Sequence, residues 1–282
     1  GAFRIRRAIA VNRRVQRLIP AVDSIEGATA LNEAAQAAGM RLEVRLEVDT
    51  GARRTGTPRQ DAVAMAKAVA ALSHLNLTGI YTFKSLVYQG KPTMDNELAA
   101  REEGELMQGI AAAIREAGVP LFDVSAGSTP TGLAVAATGL VNEIRPGTYI
   151  FKDVMLTKEN AGTLDEIAVR LYATVVSTPS PEYAVIDGGT KTFPMDVPIQ
   201  TPPMQYPGYA AVEGRDDLHL SRMNEEHGMV VSDRGATGLK IGQKIALLPI
   251  HVCTALNMQN TVYLLENGQL RQMPVAARGM LV

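Results

Sequence analysis

The stretch Leu42-Glu-Val-Arg-Leu-Glu-Val-Asp-Thr-Gly-Ala-Arg-Arg54 decides how the first half of the chain is read. Residues 42–48 make an apolar-rich strand, and Asp49 to Arg54 form a polar, glycine-containing loop directly behind it. The same unit recurs on both sides. Upstream, a helix-like segment over 2–17 leads to a short strand, Leu18 to Val22, and a helix over about 24–38 ends at Gly39. Downstream come a helix over about 59–73, the strand Leu77 to Phe83 and a helix over about 94–117. The strand Leu121 to Ser125, a short helix near 130–137 and the strand Glu143 to Phe151 follow. Strands joined by helical crossovers predict a parallel sheet. Polar segments behind the strand ends (49–54, Lys84-Ser85 and 126–131) are what a (β/α) barrel offers at its active face.

Near residue 165 the texture changes. Short β-rich segments punctuated by Gly and Pro run through Ala168–Ser177, Tyr183–Asp187, Tyr209–Val212, Leu218–Arg222, Gly228–Val231, Lys244–Leu248 and Thr261–Glu266. Helical periodicity is lost, which predicts a mostly antiparallel β domain. The expected division is therefore a (β/α) part over 1–160 and a β domain over 161–282.

The bulk composition narrows the function classes. A net charge of −1 supplies no overall field for nucleic acid or anionic lipid. The basic cluster Arg4, Arg6, Arg7, Arg13, Arg14 and Arg17 alternates with Ile5, Ile9, Val15 and Leu18, as on an amphipathic helix with a solvated face. The single cysteine, Cys253, rules out an internal disulfide framework and points to a reducing compartment. No apolar run is long enough for a membrane span and no signal-peptide pattern opens the chain, so a cytoplasmic location is expected.

Five segments carry possible chemistry. Ser125-Ala-Gly-Ser-Thr-Pro-Thr131 is either a plain turn or a loop whose amides and hydroxyls approach a phosphate. Glu143-Ile-Arg-Pro-Gly-Thr-Tyr149 is either a turn or a second phosphate contact from the next strand end. In Asp49-Thr-Gly-Ala-Arg-Arg54 the arginines suit a ring atom or a carboxylate, and the alternative is a solvated loop with a local Asp–Arg pair. His251-Val-Cys253, read as a strand, would put imidazole and thiolate on one face, a pairing that favours Zn²⁺ over Mg²⁺. The bland reading is a buried cysteine beside a histidine. Glu225-Glu226-His227-Gly228 offers an acid–base histidine or a surface turn.

In this order these motifs, with Val185-Ile-Asp-Gly-Gly-Thr-Lys191 and Pro274-Val-Ala-Ala-Arg-Gly279, resemble the D-threonine aldolase and D-serine dehydratase-like family across essentially the whole chain. The resemblance implies an alanine racemase-type fold: a (β/α)8 TIM-type barrel, here its last five strands, followed by a C-terminal antiparallel β domain, usually in a homodimer. It implies pyridoxal 5′-phosphate and a divalent metal, Zn²⁺ or else Mn²⁺ or Mg²⁺. It assigns Arg54, Tyr81, Ser125, Gly127, Ser128, Thr129, Gly147 and Tyr149 to the cofactor, and His251 and Cys253 to the metal. The implied activity is cleavage of D-threonine-like β-hydroxy amino acids to glycine and an aldehyde. Dehydration of D-serine or D-threonine, or racemisation, is the alternative.

The family's Schiff-base lysine belongs to the first barrel strand, outside this segment. Lys84, at a strand end, is a candidate partner of the substrate carboxylate, and His227 a candidate acid–base group. Ile250 stands where the family often has Asn, and Tyr81-Thr-Phe83-Lys84 lacks a histidine that dehydratases tend to carry.

Overall fold

Alternation along Leu42–Asp49 sorts its side chains onto two faces, and the rest of the first unit follows from that sorting. Leu42, Val44, Leu46 and Val48 are buried in an apolar core with Val22, Ile80 and Val124 and with helix residues Leu31, Val69, Met107 and Ile114. Glu43, Arg45, Glu47 and Asp49 point to the opposite face.

The structure, a computed structural model, describes residues 1–201 and 205–280. It divides into two compact units, Gly1–Gly147 and Thr148–Val282, so the break falls before the expected boundary at 160. In the first unit the elements are α1 (Ala2–Asn12), β1 (Ala21–Val22), α2 (Ile25–Ala37), β2 (Leu42–Asp49), β3 (Thr57–Pro58), α3 (Ala62–Ala70), β4 (Leu75–Tyr81), β5 (Val87–Tyr88), β6 (Lys91–Pro92), α4 (Asn96–Glu116), β7 (Asp123–Ala126), α5 (Gly132–Thr138) and β8 (Glu143–Ile144). Strands β1-β2-β4-β7-β8 lie side by side, all parallel, and β3 adds to β2. This is the α/β arrangement expected from the alternating pattern.

Two expectations need correction here. The strand foreseen from Glu143 to Phe151 is only β8, because Pro146 has no amide to give a ladder and Thr148–Phe151 turns instead. The first helix ends at Asn12 rather than near 17; its Ile5, Ala8 and Ile9 pack on the core and its arginines stay in solvent.

The second unit holds α6 (Val154–Lys158), β9 (Leu171–Ser180), β10 (Tyr183–Ile186), β11 (Ala210–Val212), β12 (Arg215–Met223), β13 (Gly228–Ser232), β14 (Lys244–Pro249), α7 (Val252–Asn257), β15 (Thr261–Glu266) and β16 (Gln269–Pro274). Six strands close an antiparallel barrel in the order β10-β13-β12-β11-β14-β9, around Val175, Ile186, Phe193, Leu220, Val230 and Leu247. Closure leaves those six strands without a free edge. The hairpin β15–β16 stands apart from them, turning at Asn267-Gly268, both at positive φ. Among the described residues no helix is long and apolar enough to cross a membrane.

One glycine organises the polar face of the parallel sheet. Gly79 of β4 sits in register between Arg45 of β2 and Asp123 of β7. The Arg45 guanidinium bonds Asp123 at 3.0 Å and also pairs with Glu143. A Cβ at Gly79 would lie 2.2 Å from the Asp123 carbonyl oxygen. Gly79→Ala is therefore expected to force β4 and β7 apart and lower stability by about 1–3 kcal/mol. A thermal melt that leaves Tm unchanged contradicts this.

Candidate cofactor and metal sites

The polar face of the sheet is a connected network. Glu143 takes Arg45 on one side and the Ser125 hydroxyl, at 2.7 Å, on the other. Arg145, two residues beyond Glu143, donates from Nε to the Ser125 oxygen at 2.9 Å and lays its guanidinium over the Tyr81 ring at 3.9 Å. The Tyr81 phenol donates to Glu47 at 2.8 Å; burial and that acceptor push its pKa up, so it stays protonated. Burial pulls Arg145 below the usual arginine range, yet a guanidinium remains charged at neutral pH. The result is a fixed cation on a ring, with Ser125 and Tyr81 locked on either side.

Behind β7 the chain turns sharply. Gly127 has φ +85°, and a Cβ there would meet the Gly132 Cα at 3.1 Å. Ser128 is buried; its amide donates to the Thr131 hydroxyl at 3.0 Å, and its carbonyl accepts from the Gly132 amide at 2.7 Å. Thr129 accepts the Gly147 amide at 3.1 Å, which ties the ends of two neighbouring parallel strands together. Two adjacent strand ends carrying Gly127, Ser128, Thr129 and Gly147 fit a phosphate: small residues, clustered amides and hydroxyls, and backbone that admits close approach.

The other candidates divide. Arg54 is exposed and stacks on Phe83 at 4.4 Å. Asp49 makes no ion pair with the loop arginines; it accepts from the amides of Gly51 and Arg53 instead. Lys84, expected to face the site, is 1% exposed and turned into α4, where it pairs with Glu102. A buried ammonium needs such a partner, and the nearest carboxylate lies on that helix. Tyr149 is exposed in the second unit. His227 lies exposed in the four-residue turn Asn224–His227 between β12 and β13, while Lys191 pairs with Glu225 and Glu226.

The 251–253 segment is not a strand, so the same-face spacing expected of it does not hold. His251 is extended backbone at the N-cap of α7, and Cys253 is the second residue of that helix. A buried carboxylate enforces this turn: Asp153 caps α6 through the Leu156 amide at 3.0 Å and accepts the Val252 amide at 2.9 Å. His251 Nδ1 lies 2.7 Å from Asp196, which also accepts the Thr254 hydroxyl at 2.6 Å.

Cys253 is exposed, and its thiol is pushed up by partial burial and by the charges of Asp153 and Asp196. That negative surrounding suits a cation, whose charge would convert the thiol to a thiolate ligand. Among the described residues no three His, Cys, Asp or Glu side chains converge as a metal cluster. His251 and Cys253 thus remain a candidate donor pair, with Asp153 and Asp196 nearby.

Sequence reasoning gave Arg145, Asp153 and Asp196 no role. Arg145 could have been found, since it shares a strand face with Glu143; Asp153 and Asp196 lie far from 251 in sequence and carry no motif.

Residues 5–154 match the model of the alanine racemase N-terminal domain, and residues 168–265 that of a putative serine dehydratase domain. A D-threonine aldolase from Arthrobacter sp. is 27% identical over 94% of this chain and 69% of its own length. The D-threo-3-hydroxyaspartate dehydratase of Delftia sp. is 30% identical over 89% of this chain and 69% of its own. The solved structure of that dehydratase superposes with a TM-score of 0.86, at 26% identity, over 97% of this chain and 76% of the other. A cysteine-to-alanine variant of the enzyme is also known in a metal-free form. With both halves matched in order, the chain belongs to the D-threonine aldolase and D-serine dehydratase-like family, pyridoxal phosphate-dependent lyases of the alanine racemase-type fold.

Proposed function

We propose that this chain is the larger part of a lyase that cleaves D-β-hydroxy amino acids of the D-threonine type to glycine and an aldehyde. The five parallel strands are, on this reading, the last five of a (β/α)8 barrel, and the protein works as a cytoplasmic homodimer. The exposed Tyr263, Leu265 and Leu270 of the β15–β16 hairpin support association. The observation that carries the lyase reading is His251 held by Asp196 beside Cys253, a donor set that neither a racemase nor a simple cofactor carrier requires.

The residues then divide the work. Gly127, Ser128, Thr129 and Gly147 hold the cofactor phosphate. Arg145, fixed on Tyr81 and Ser125, presents a permanent charge to a ring nitrogen or a carboxylate, and Arg54, stacked on Phe83, is the arginine the family resemblance sets against the cofactor ring. Pyridoxal phosphate, when bound, supplies an electron sink for the bond broken at the substrate Cα, and a Zn²⁺ or Mn²⁺ ion supplies Lewis acidity toward the β-hydroxyl. His251 and Cys253 hold that ion. Asp196, by accepting the Nδ1 proton of His251, fixes the tautomer that leaves Nε2 for coordination. Lys84 and His227 have no part in this scheme: one is committed to Glu102, the other sits in an exposed turn.

The Delftia relative favours a second reading, dehydration, in which the Cα proton and the hydroxyl leave as water and hydrolysis of the resulting imine by one water gives a 2-oxo acid plus ammonia. Product identification separates the two. D-Threonine should give glycine and acetaldehyde; 2-oxobutyrate and ammonia would establish the dehydratase.

Replacing His251 or Cys253 by Ala should lower turnover with added Zn²⁺ or Mn²⁺ at least ~100-fold, and full retained activity would defeat the metal role. Asp196→Asn should keep the fold but weaken metal retention by about 10–100-fold, read by elemental analysis after dialysis against graded chelator.

A further inference from the structure

Behind the 127–131 loop lies a carboxylate that the scheme above leaves unused. Glu103 projects from α4 and is fully buried. Its Oε2 takes the Thr131 hydroxyl at 3.4 Å; among the described residues its Oε1 makes no well-formed hydrogen bond, and the Gly127 and Lys84 amides only pull on the carboxyl electrostatically. Thr131, also fully buried, accepts the Ser128 amide, and its oxygen lies 3.1 Å from the Ser128 hydroxyl oxygen.

Two arrangements of the protons along this chain satisfy Thr131 fully. A hydroxyl has one proton to give and two lone pairs. One lone pair of Thr131 is always taken by the Ser128 amide. If Glu103 is charged, Thr131 must donate to it, and its second lone pair receives the Ser128 hydroxyl. Ser128 then presents only lone pairs outward and repels an anion. If Glu103 carries a proton, it donates to Thr131, Thr131 donates to Ser128, and the Ser128 hydroxyl is free to donate outward. Both arrangements satisfy Thr131 fully, and they differ by one proton at Glu103 and the direction of two hydroxyls.

We propose that Glu103, Thr131 and Ser128 form a relay that couples uptake of one proton to the binding of a phosphate monoester at the Ser128 hydroxyl. Glu103 acts here as a positioning residue, not a catalytic one, and the proposal rests on the loop being the phosphate site. Ser128 is 3% exposed, so an anion reaching its hydroxyl does so largely out of water, where a misdirected donor counts most.

The surroundings keep both states accessible. Burial pushes the Glu103 carboxyl up to about 7, against the pull of the Gly127 amide, the Lys84 ammonium and amide, and the Thr131 hydroxyl. From the β4 end the charged group acting on it is Lys84, itself paired with Glu102 of α4; from the β7–α5 loop come the Gly127 amide and the Thr131 hydroxyl. A bound phosphate adds negative charge in front of Glu103 and favours its protonated form further. The sign follows: anion affinity is full below pH 7 and falls as pH rises through it.

The test titrates the full chain with pyridoxamine 5′-phosphate, which carries the phosphate but cannot form a Schiff base with a lysine, following its fluorescence from pH 6 to 9. Glu103→Gln is measured alongside, because its carboxamide stays neutral across that range and cannot titrate. Dividing the two dissociation constants at each pH cancels titration of the ligand's own phosphate. The ratio of the unaltered protein to Glu103→Gln should be flat near pH 6 and rise about tenfold per unit above 7. Thr131→Val removes the relay at its centre and should abolish that excess pH dependence; it carries the test if Glu103→Gln does not fold. A ratio independent of pH, with binding retained in both proteins, overturns the relay. Absence of binding to the unaltered protein at every pH overturns the phosphate-loop reading and the relay with it.

Discussion

A guanidinium lying across a glycine holds the first unit together. Arg45 reaches from β2 over the bare backbone of Gly79 to Asp123 on β7 and on to Glu143 on β8, so one side chain joins strands that are not neighbours. The face it occupies is polar in a protein whose opposite sheet face is a continuous apolar core. The charges of Arg45, Asp123 and Glu143 persist there because they are paired and hydrogen-bonded; lone, they would cost several kcal/mol each. Ser125, Arg145 and Tyr81 hang from the same network, and their positions are consequences of Glu143 being fixed.

The second unit uses a single carboxylate in a comparable way. Asp153 is buried, caps α6 and seizes the Val252 amide, so the chain leaving β14 must turn into α7 at His251 rather than continue extended. That turn puts His251 within reach of Asp196 and leaves Cys253 exposed in the first turn of the helix. The closed barrel that precedes it supplies a rigid support for that turn.

Much of this was legible in residue order. Alternating apolar strands and amphipathic helices marked the α/β unit, and short strands with Gly and Pro marked the antiparallel one, since both patterns are local. The 125–131 segment was legible as a turn behind a strand, because glycine and proline punctuate the chain locally; whether it was a plain turn or a phosphate loop was not. Lys84 was misread: a lysine at a strand end looks exposed until the helix that buries it is placed. The geometry at 251–253 was misread too, because a strand and a helix N-terminus start alike and only Asp153, about a hundred residues earlier, selects between them.

The amino-acid order alone therefore determined which elements form, their succession and the chemistry of the motif residues, because propensity and periodicity act over a few residues at a time. Tertiary structure alone decided which charges meet. Arg45 with Glu143, His251 with Asp196, and Glu103 with Thr131 are pairs separated by 98, 55 and 28 positions, and no local rule connects them. Burial makes the contacts of Arg45 and Glu103 obligatory, whereas His251 meets Asp196 at the surface because the turn into α7 places it there.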